Sequence, residues 1–145
     1  TTFFTDQHVP GTNLTGQWTV ISGSYKGVGL EAAKYFASWG ANIILACCEP
    51  PAWELHPTAA VDECNALTAA NGHSSTIEWW QINLADLSSV EAFFKDGFKA
   101  TALWTSCVKI NAGIPESTKQ PNPTKNGSQL VHQVRFSLVF FNLLG

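Results

Sequence analysis

Residues 19–40 read TVISGSYKGVGLEAAKYFASWG, and this stretch decides the fold. A short β-branched run, Thr19-Val20-Ile21, leads into a glycine-rich turn. From Leu30 onward the apolar residues recur at helical spacing, and Gly40 is a typical stop. The stretch therefore predicts a buried strand, a tight turn and a helix that begins near Val28, with its apolar spacing over about Leu30 to Trp39.

Three glycines, Gly23, Gly27 and Gly29, lie between the predicted strand and helix. In such a junction one glycine permits the turn, another lets the backbone approach a diphosphate, and a third allows close packing of helix and strand. Backbone N–H groups at the helix start favour the same anion. The junction predicts a dinucleotide-binding loop, although strand-end glycines also serve simply as turns; its residues would be Gly23, Ser24, Tyr25, Lys26, Gly27, Val28 and Gly29.

The alternation of strand and helix continues along the rest of the chain. Further strands are predicted near 42–46, 76–82 and 103–110, each reading as buried on both faces. Three further helices are predicted: one near 59–70, one that begins after Ser88 or Ser89 as its cap, and one near 129–144. A loop that contains Pro50, Pro51 and Pro57 precedes the helix near 59–70. This order predicts one truncated, Rossmann-like α/β domain over residues 1–145. Its sheet would be open and parallel, with about four strands and helices on both faces.

The composition limits the kinds of partner. The net charge is −3 and the basic residues are scattered, so nucleic acid is not an expected partner. No apolar run reaches the roughly 20 residues that span a bilayer. Charged residues make up 13% of the chain, about half the usual share, which favours a surface covered by another chain or by a missing part of this one.

The four cysteines, at positions 47, 48, 64 and 107, form no Cys-x-x-Cys pair, and the histidines lack ligand spacing. A metal site is therefore not expected. The neighbouring Cys47 and Cys48 should point to opposite faces at the end of a strand. Packed, reduced thiols of this kind are typical of the cytoplasm.

Several segments resemble the short-chain dehydrogenase/reductase family, especially the branch that contains retinol dehydrogenases and the WW-domain oxidoreductase. The spacing Gly-x-x-x-Gly-x-Gly of residues 23–29 is similar to that of this family. Other similar segments follow in the family's order: Leu14-Thr15-Gly16, residues 40–47, Asn83-Leu84-Ala85-Asp86, Ile110-Asn111-Ala112-Gly113 and Thr124-Lys125-Asn126-Gly127. The resemblance covers residue 14 to the end and implies the cofactor-binding half of an NAD(P)-dependent oxidoreductase.

The resemblance also implies roles for residues outside the glycine loop. Asn83 and Leu84 would flank the adenine, and the segment Asn111, Ala112 and Gly113 would pass beside the ribose. Several positions depart from the family's pattern, among them Ser22, Asn83 and Ile110, and also Arg135 in place of an Asn and Leu138 in place of a Gly. Ser22 replaces a Thr but keeps a hydroxyl, Asn83 replaces an Asp and loses its charge, and Ile110 replaces the first residue of an Asn-Asn pair.

The choice between NADP and NAD depends on a few side chains. Lys26 stands directly before the middle glycine, where relatives that use NADP often carry a basic residue. Cys48 stands where relatives often carry Arg, and Glu49 beside it favours NAD, because an acidic side chain there binds the ribose 2′-hydroxyl. The balance slightly favours NADP, with NAD or no bound nucleotide as the alternatives.

The family's catalytic Tyr-x-x-x-Lys does not occur in the 145 residues. The two tyrosines are Tyr25 and Tyr35, and the fourth following residues are Gly29 and Trp39. Hydride transfer to a carbonyl needs a positioned acid and a cation that lowers its pKa. We expect a chain that binds nucleotide at most and does not catalyse alone; a non-enzymatic binding or self-association protein, or a ligand-free remnant, is the alternative.

The last predicted helix carries an unusually dense apolar load. Its apolar residues are Val131, Val134, Leu138, Val139, Phe140, Phe141, Leu143 and Leu144. A helix packed against one sheet needs an apolar stripe of roughly 100°, and adjacent phenylalanines extend beyond it. The surplus predicts a homo-oligomer formed through residues 131–144.

Overall fold

A computed structural model describes residues 9–98, 107–109, 111–112, 123–127 and 133–134. The elements alternate along the chain: β1 (Trp18–Ser22), α1 (Gly27–Ser38), β2 (Asn42–Cys47), α2 (Pro57–Ala70), β3 (Ile77–Gln81), α3 (Leu87–Ala92) and β4 (Cys107–Lys109). The segment Phe93–Phe98 continues α3 as a π-helix. The predicted alternation of strands and helices is confirmed over these residues.

The four described strands form one parallel sheet in the order β3-β2-β1-β4. The chain moves outward from β1 to β2 and β3, and then returns to place β4 on the other side of β1. This is the order of the first four strands in doubly wound nucleotide-binding folds. In open sheets of this type, ligands bind beyond the carboxyl ends of the strands at the point where the order reverses, which here lies between β1 and β4.

The two faces of the sheet support separate apolar cores. On one face Ile43 and Leu45 pack with the small residues of α1 and α2, namely Ala33, Ala37, Ala60 and Cys64. On the other face Ile44 and Ala46 pack with Val90, Phe93 and Val134. Successive residues of β2 thus enter opposite cores, as the period of a strand requires. Helices cover both faces, as the sequence predicts.

Two helices begin earlier than the apolar pattern indicates. α1 begins at Gly27, which confirms the predicted start near Val28, and the glycine-rich junction forms a first turn that precedes the apolar spacing from Leu30. α2 begins at Pro57, which the sequence analysis placed in the preceding loop. A proline fits the first helical position because that position needs no N–H donor, and the His56 side chain accepts the Thr58 N–H as the cap.

The cap of α3 and the exposure of β3 also differ from the prediction. Asp86, not Ser88 or Ser89, is the N-cap, and its Oδ1 accepts the backbone N–H of Ser88 at 3.0 Å. The Ser89 hydroxyl instead accepts the N–H of Asn83 at 2.9 Å. β3 is not buried on both faces, because it lies at the edge of the described sheet and Glu78 is exposed.

Parts of three predictions lie outside the described residues. The predicted helix at 129–144 is described at Gln133 and Val134, which are helical. The predicted fourth strand is described at Cys107–Lys109, and Gly113 lies outside the described ranges. No helix among the described residues is long and apolar enough to cross a membrane.

Truncation of Ile44 tests the core that β2 shares with α3. We expect Ile44→Ala to lower the free energy of unfolding by about 2–5 kcal/mol, because its fully buried side chain would leave a cavity. Urea denaturation followed by circular dichroism measures the loss. Leu55→Ala is the control, since Leu55 is 78% exposed and should change stability by no more than about 0.5 kcal/mol. Equal effects of the two variants would contradict the described packing.

Candidate nucleotide-binding site

A cavity of about 600 Å³ opens at the carboxyl ends of the strands. Its volume lies within the range of roughly 300–1,000 Å³ that is usual for small-molecule sites. The predicted site residues that line it are Gly23, Tyr25, Lys26, Cys48, Asn83, Leu84, Asn111 and Ala112. Residues that were not predicted complete the wall: Ala46, Cys47, Ile82, Ala85 and Val134. The structure therefore brings together segments from the ends of all four strands.

Four other predicted residues belong to the glycine loop but do not line this cavity. Ser24 is fully buried, and its hydroxyl donates to the carbonyl of Ile21 at 2.8 Å. Gly27 and Gly29 belong to the first turn of α1, and Val28 between them is 75% exposed. Ser24 thus ties the loop to the end of β1, while Gly27, Val28 and Gly29 form the start of α1.

Gly23 and Gly29 permit the close packing of the loop. A Cβ atom on Gly29 would lie 2.4 Å from the Gly23 carbonyl oxygen and 2.5 Å from Asn111 Nδ2. Gly23 has a φ of 62°, and a Cβ atom there would lie 2.8 Å from the Cα of Ala112. All three distances are too short for a Cβ atom, so positions 23 and 29 require glycine.

Gly27, by contrast, leaves open space at the start of α1. Its φ is 61°, and a Cβ atom there would have no neighbour within 4 Å among the described atoms. The N-cap residue, Lys26, has an extended backbone and provides no side-chain hydrogen bond to the helix. The first N–H groups of α1 are therefore without a side-chain cap, an arrangement that favours an anion at this end of the helix.

Ser22 joins β1 to the segment that follows β4. Its buried hydroxyl oxygen accepts the backbone N–H groups of Asn111 and Ala112 at 2.9 and 3.1 Å. Asn111 Nδ2 also donates to the carbonyl of Gly23 at 3.1 Å. The sequence indicated that Ser22 keeps a hydroxyl at this position but did not reveal what the hydroxyl binds.

The wall beyond β3 is fixed by local hydrogen bonds and by a distant glutamine. Asn83 Oδ1 accepts the N–H of Ala85 at 3.0 Å, which forms a tight turn. Gln133 Nε2 donates to the carbonyl of Leu84 at 3.4 Å, and Gln133 Oε1 accepts from the Thr124 hydroxyl at 2.6 Å. These bonds bring the neighbouring Val134 to the cavity, which no local sequence signal could predict.

A carboxylate that the sequence analysis did not identify binds two residues of the glycine loop. Glu54 Oε2 accepts from Lys26 Nζ at 2.6 Å and from Tyr25 Oη at 2.7 Å. The hydrogen bond from Lys26 is the main reason that the pKa of Glu54 lies below its ordinary value, and it raises the pKa of Lys26. Burial is the first cause that raises the pKa of Tyr25, followed by its bond to Glu54.

The sequence predicts that the two neighbouring cysteines are packed thiols, but only Cys47 is packed. Cys47 is buried and Cys48 is exposed, and both are unpaired thiols. Burial raises the pKa of the Cys47 thiol, which therefore stays protonated at neutral pH. Within the described part of the chain, no three His, Cys, Asp or Glu residues are grouped as a metal site would require.

Comparison with known proteins identifies similar oxidoreductases. The WW domain-containing oxidoreductase of Homo sapiens is 32% identical over 127 residues, covering 86% of this chain and 27% of the relative. Retinol dehydrogenase 11 of Mus musculus is 34% identical over 101 residues, covering 70% and 29%. A short chain dehydrogenase of Gibberella zeae is 30% identical over 114 residues, covering 77% and 30%. The chain thus spans less than a third of the length of these relatives, and no family model matches it.

Solved structures share the fold at low sequence identity. Carveol dehydrogenase from Mycobacterium avium, in complex with NAD, superposes with a TM-score of 0.58 at 18% identity, covering 88% of this chain and 45% of its own. A short-chain type dehydrogenase/reductase from Mycobacterium marinum gives a TM-score of 0.62 at 17% identity, covering 91% and 48%. Both matches establish a Rossmann-like fold for this chain.

The class of protein follows from the parallel sheet, the glycine-rich turn and the relatives together. The chain has an α/β, Rossmann-like fold. It belongs to the short-chain dehydrogenase/reductase family, as the motifs in its sequence predict.

Asp86 couples α3 to the segment 123–127 and should make stability depend on pH. Its carboxylate pairs with Lys125, and this bond, followed by that from Ser88, lowers its pKa from 3.8 to about 2. The folded state thus binds this proton less readily than the unfolded chain. The stabilisation is complete above about pH 4 and is lost as the pH falls toward 2.

We expect Asp86→Asn to make the acid limb of the stability profile shallower, because asparagine keeps the cap but loses the ion pair. Urea midpoints measured from pH 2 to pH 7 provide the comparison. Lys125→Gln, which removes the cation instead, should flatten the profile in the same way. Profiles that run parallel to the wild type would show that this pair does not contribute.

Proposed function

We propose that this chain binds a nicotinamide dinucleotide, NADP or NAD, in the cavity at the carboxyl ends of the strands. The observation that carries the proposal is the packing of Gly23 and Gly29 against Asn111 and Ala112. It places a glycine-rich loop beside the start of α1, which has no side-chain cap, at the reversal of strand order. Backbone N–H groups at such a helix start bind phosphate without a charged side chain.

The residues present fit such a ligand in separate parts of the cavity. The glycine loop, Gly23 to Gly29, would hold the diphosphate. Asn83 and Leu84 would flank the adenine, and Cys48 would lie near the adenosine ribose. Asn111, Ala112 and Gly113 would pass beside the other ribose. Of these, Leu84 is buried and Asn83 forms a turn, so the adenine wall has a fixed shape.

Lys26 supports NADP as the ligand, because a basic side chain at this position favours a 2′-phosphate. Glu49 supports NAD, but it is not among the described residues that line the cavity, whereas Lys26 is. The structure of carveol dehydrogenase contains NAD, and that of a similar protein from Agrobacterium tumefaciens contains NADP, with a TM-score of 0.61 to this chain. We therefore retain both ligands, with NADP slightly favoured.

A bound nicotinamide supplies hydride chemistry, but the protein must supply the acid. No Tyr-x-x-x-Lys occurs in the 145 residues. We therefore propose that this polypeptide binds nucleotide without transferring hydride by itself. The same absence favours, as the second candidate, a non-enzymatic binding or self-association protein on this scaffold.

The unpaired thiols Cys47, Cys48 and Cys64 support a cytoplasmic location.

Calorimetric titration with NADP and NAD tests the proposed site. We expect weak but measurable binding that Gly27→Trp abolishes, because an indole would fill the space above the start of α1. Gly72→Trp is the matched control. Gly72 also has a positive φ and open space around it, so its backbone strain is similar. It lies between α2 and β3, at the opposite end of the sheet from the cavity.

Two outcomes would contradict the proposal. Absence of binding at millimolar concentrations of both nucleotides would favour the ligand-free alternative. Equal loss of affinity in Gly27→Trp and Gly72→Trp would show that backbone strain, and not occupation of the glycine loop, weakens binding.

We also propose self-association through residues 131–144. The apolar residues of this segment exceed the needs of one packed face, and Val134, which is described, already faces the core. We expect Phe141→Asp to shift the protein toward a monomer or to make it insoluble, whereas the wild type forms a dimer or larger assembly. Light scattering at tens of micromolar measures the mass, and a wild-type monomer would reject this proposal.

A further inference from the structure

The Glu54 carboxylate binds the ammonium group of Lys26, a cation at the wall of the cavity. Its Oε2 atom accepts from both Lys26 Nζ and Tyr25 Oη, at 2.6 and 2.7 Å. Tyr25 and Lys26 line the cavity, whereas Glu54 reaches them from the loop between β2 and α2. The Lys26 ammonium also lies 5.1 Å from the centre of the Tyr25 ring. An anion that enters the cavity and binds Lys26 must therefore compete with the Glu54 carboxylate, which is already bound to it.

The loop that carries Glu54 follows the end of β2, the strand end at which doubly wound folds distinguish NAD from NADP. Cys48 follows β2 directly and lines the same cavity, and the loop that carries Glu54 starts there. In doubly wound folds the adenosine ribose lies beside the end of the second strand. An acidic side chain binds its 2′-hydroxyl there, and a basic one accommodates a 2′-phosphate. In the proposed complex Lys26 and Glu54 would therefore lie beside the part of the ligand that distinguishes the two cofactors.

We propose that Glu54 is a specificity-determining residue, which competes as an internal anion with the 2′-phosphate of NADP for Lys26. This inference rests on the proposed function. NAD carries no 2′-phosphate, so it binds while Lys26 and Glu54 remain paired. The 2′-phosphate of NADP binds Lys26 only when it displaces the Glu54 carboxylate. The free energy needed to break the Lys26–Glu54 pair lowers the affinity for NADP.

The surroundings of Glu54 allow the exchange. The side chains of Lys26 and Glu54 are 62% and 29% exposed, so water can replace each partner. Trp53 and Leu55, on either side of Glu54, are 86% and 78% exposed, and withdrawal of this segment uncovers no core. Exposed ion pairs are also weak, which makes a phosphate able to displace the carboxylate.

Calorimetric titration of Glu54→Gln with NADP and NAD tests the competition. We expect NADP to bind roughly two- to fivefold more tightly, the range of an exposed ion pair, and NAD to bind as before. Glu63→Gln is the matched control. Glu63 pairs with Lys34 at 2.9 Å between α1 and α2, so the substitution removes the same charge from a similar pair. We expect it to leave the ratio of the two affinities unchanged.

Repeating Glu54→Gln in a Lys26→Gln background separates competition from general repulsion. If Glu54 acts through Lys26, the gain in NADP affinity disappears there; a gain that persists overturns the inference. An unchanged affinity ratio, or equal tightening of NADP and NAD, overturns it as well but leaves the proposed function standing. Failure of every variant and of the wild type to bind either nucleotide rejects the proposed function and the inference with it.

Discussion

The close approach of Gly29 to Gly23 and Asn111 is the contact on which the site depends. It sets α1 directly against the turn that ends β1, and it brings the segment after β4 to the same place. The Ser22 hydroxyl fixes that segment by accepting two backbone N–H groups. Because the contacts with Asn111 and Ala112 join residues that are distant in sequence, one side chain at position 29 would separate the three parts of the cavity wall.

The sheet determines where this contact lies. Parallel strands place their carboxyl ends on one edge, and in open sheets of this type the reversal of strand order, which in the described sheet lies between β1 and β4, leaves a gap there. Both faces are covered by apolar cores, which hold β1 and β2 in the centre. The edge with the gap is therefore the part of the described sheet that can receive a ligand without loss of core packing.

Much of this arrangement can be predicted from the sequence, because it depends on local patterns. The β-branched run before Gly23 and the spacing of the three glycines predict the first strand, the turn and the helix. Helix starts were less predictable: the position of Pro57 is decided by a missing N–H donor, not by apolar spacing. Glu54 and Val134 were missed because a loop of ordinary composition and a tertiary hydrogen bond from Gln133 place them at the cavity.

The chain's few charges are compatible with an anionic ligand because the site relies on the backbone. N–H groups and the dipole at the start of α1 attract a diphosphate without side-chain cations. In the proposed complex Lys26 would then be left for discrimination between ligands, because its bond to Glu54 reduces the field that it projects into the cavity. The glycine loop would thus separate two tasks, since backbone groups would provide general affinity for phosphate while one adjustable ion pair would respond to the additional charge of a particular nucleotide.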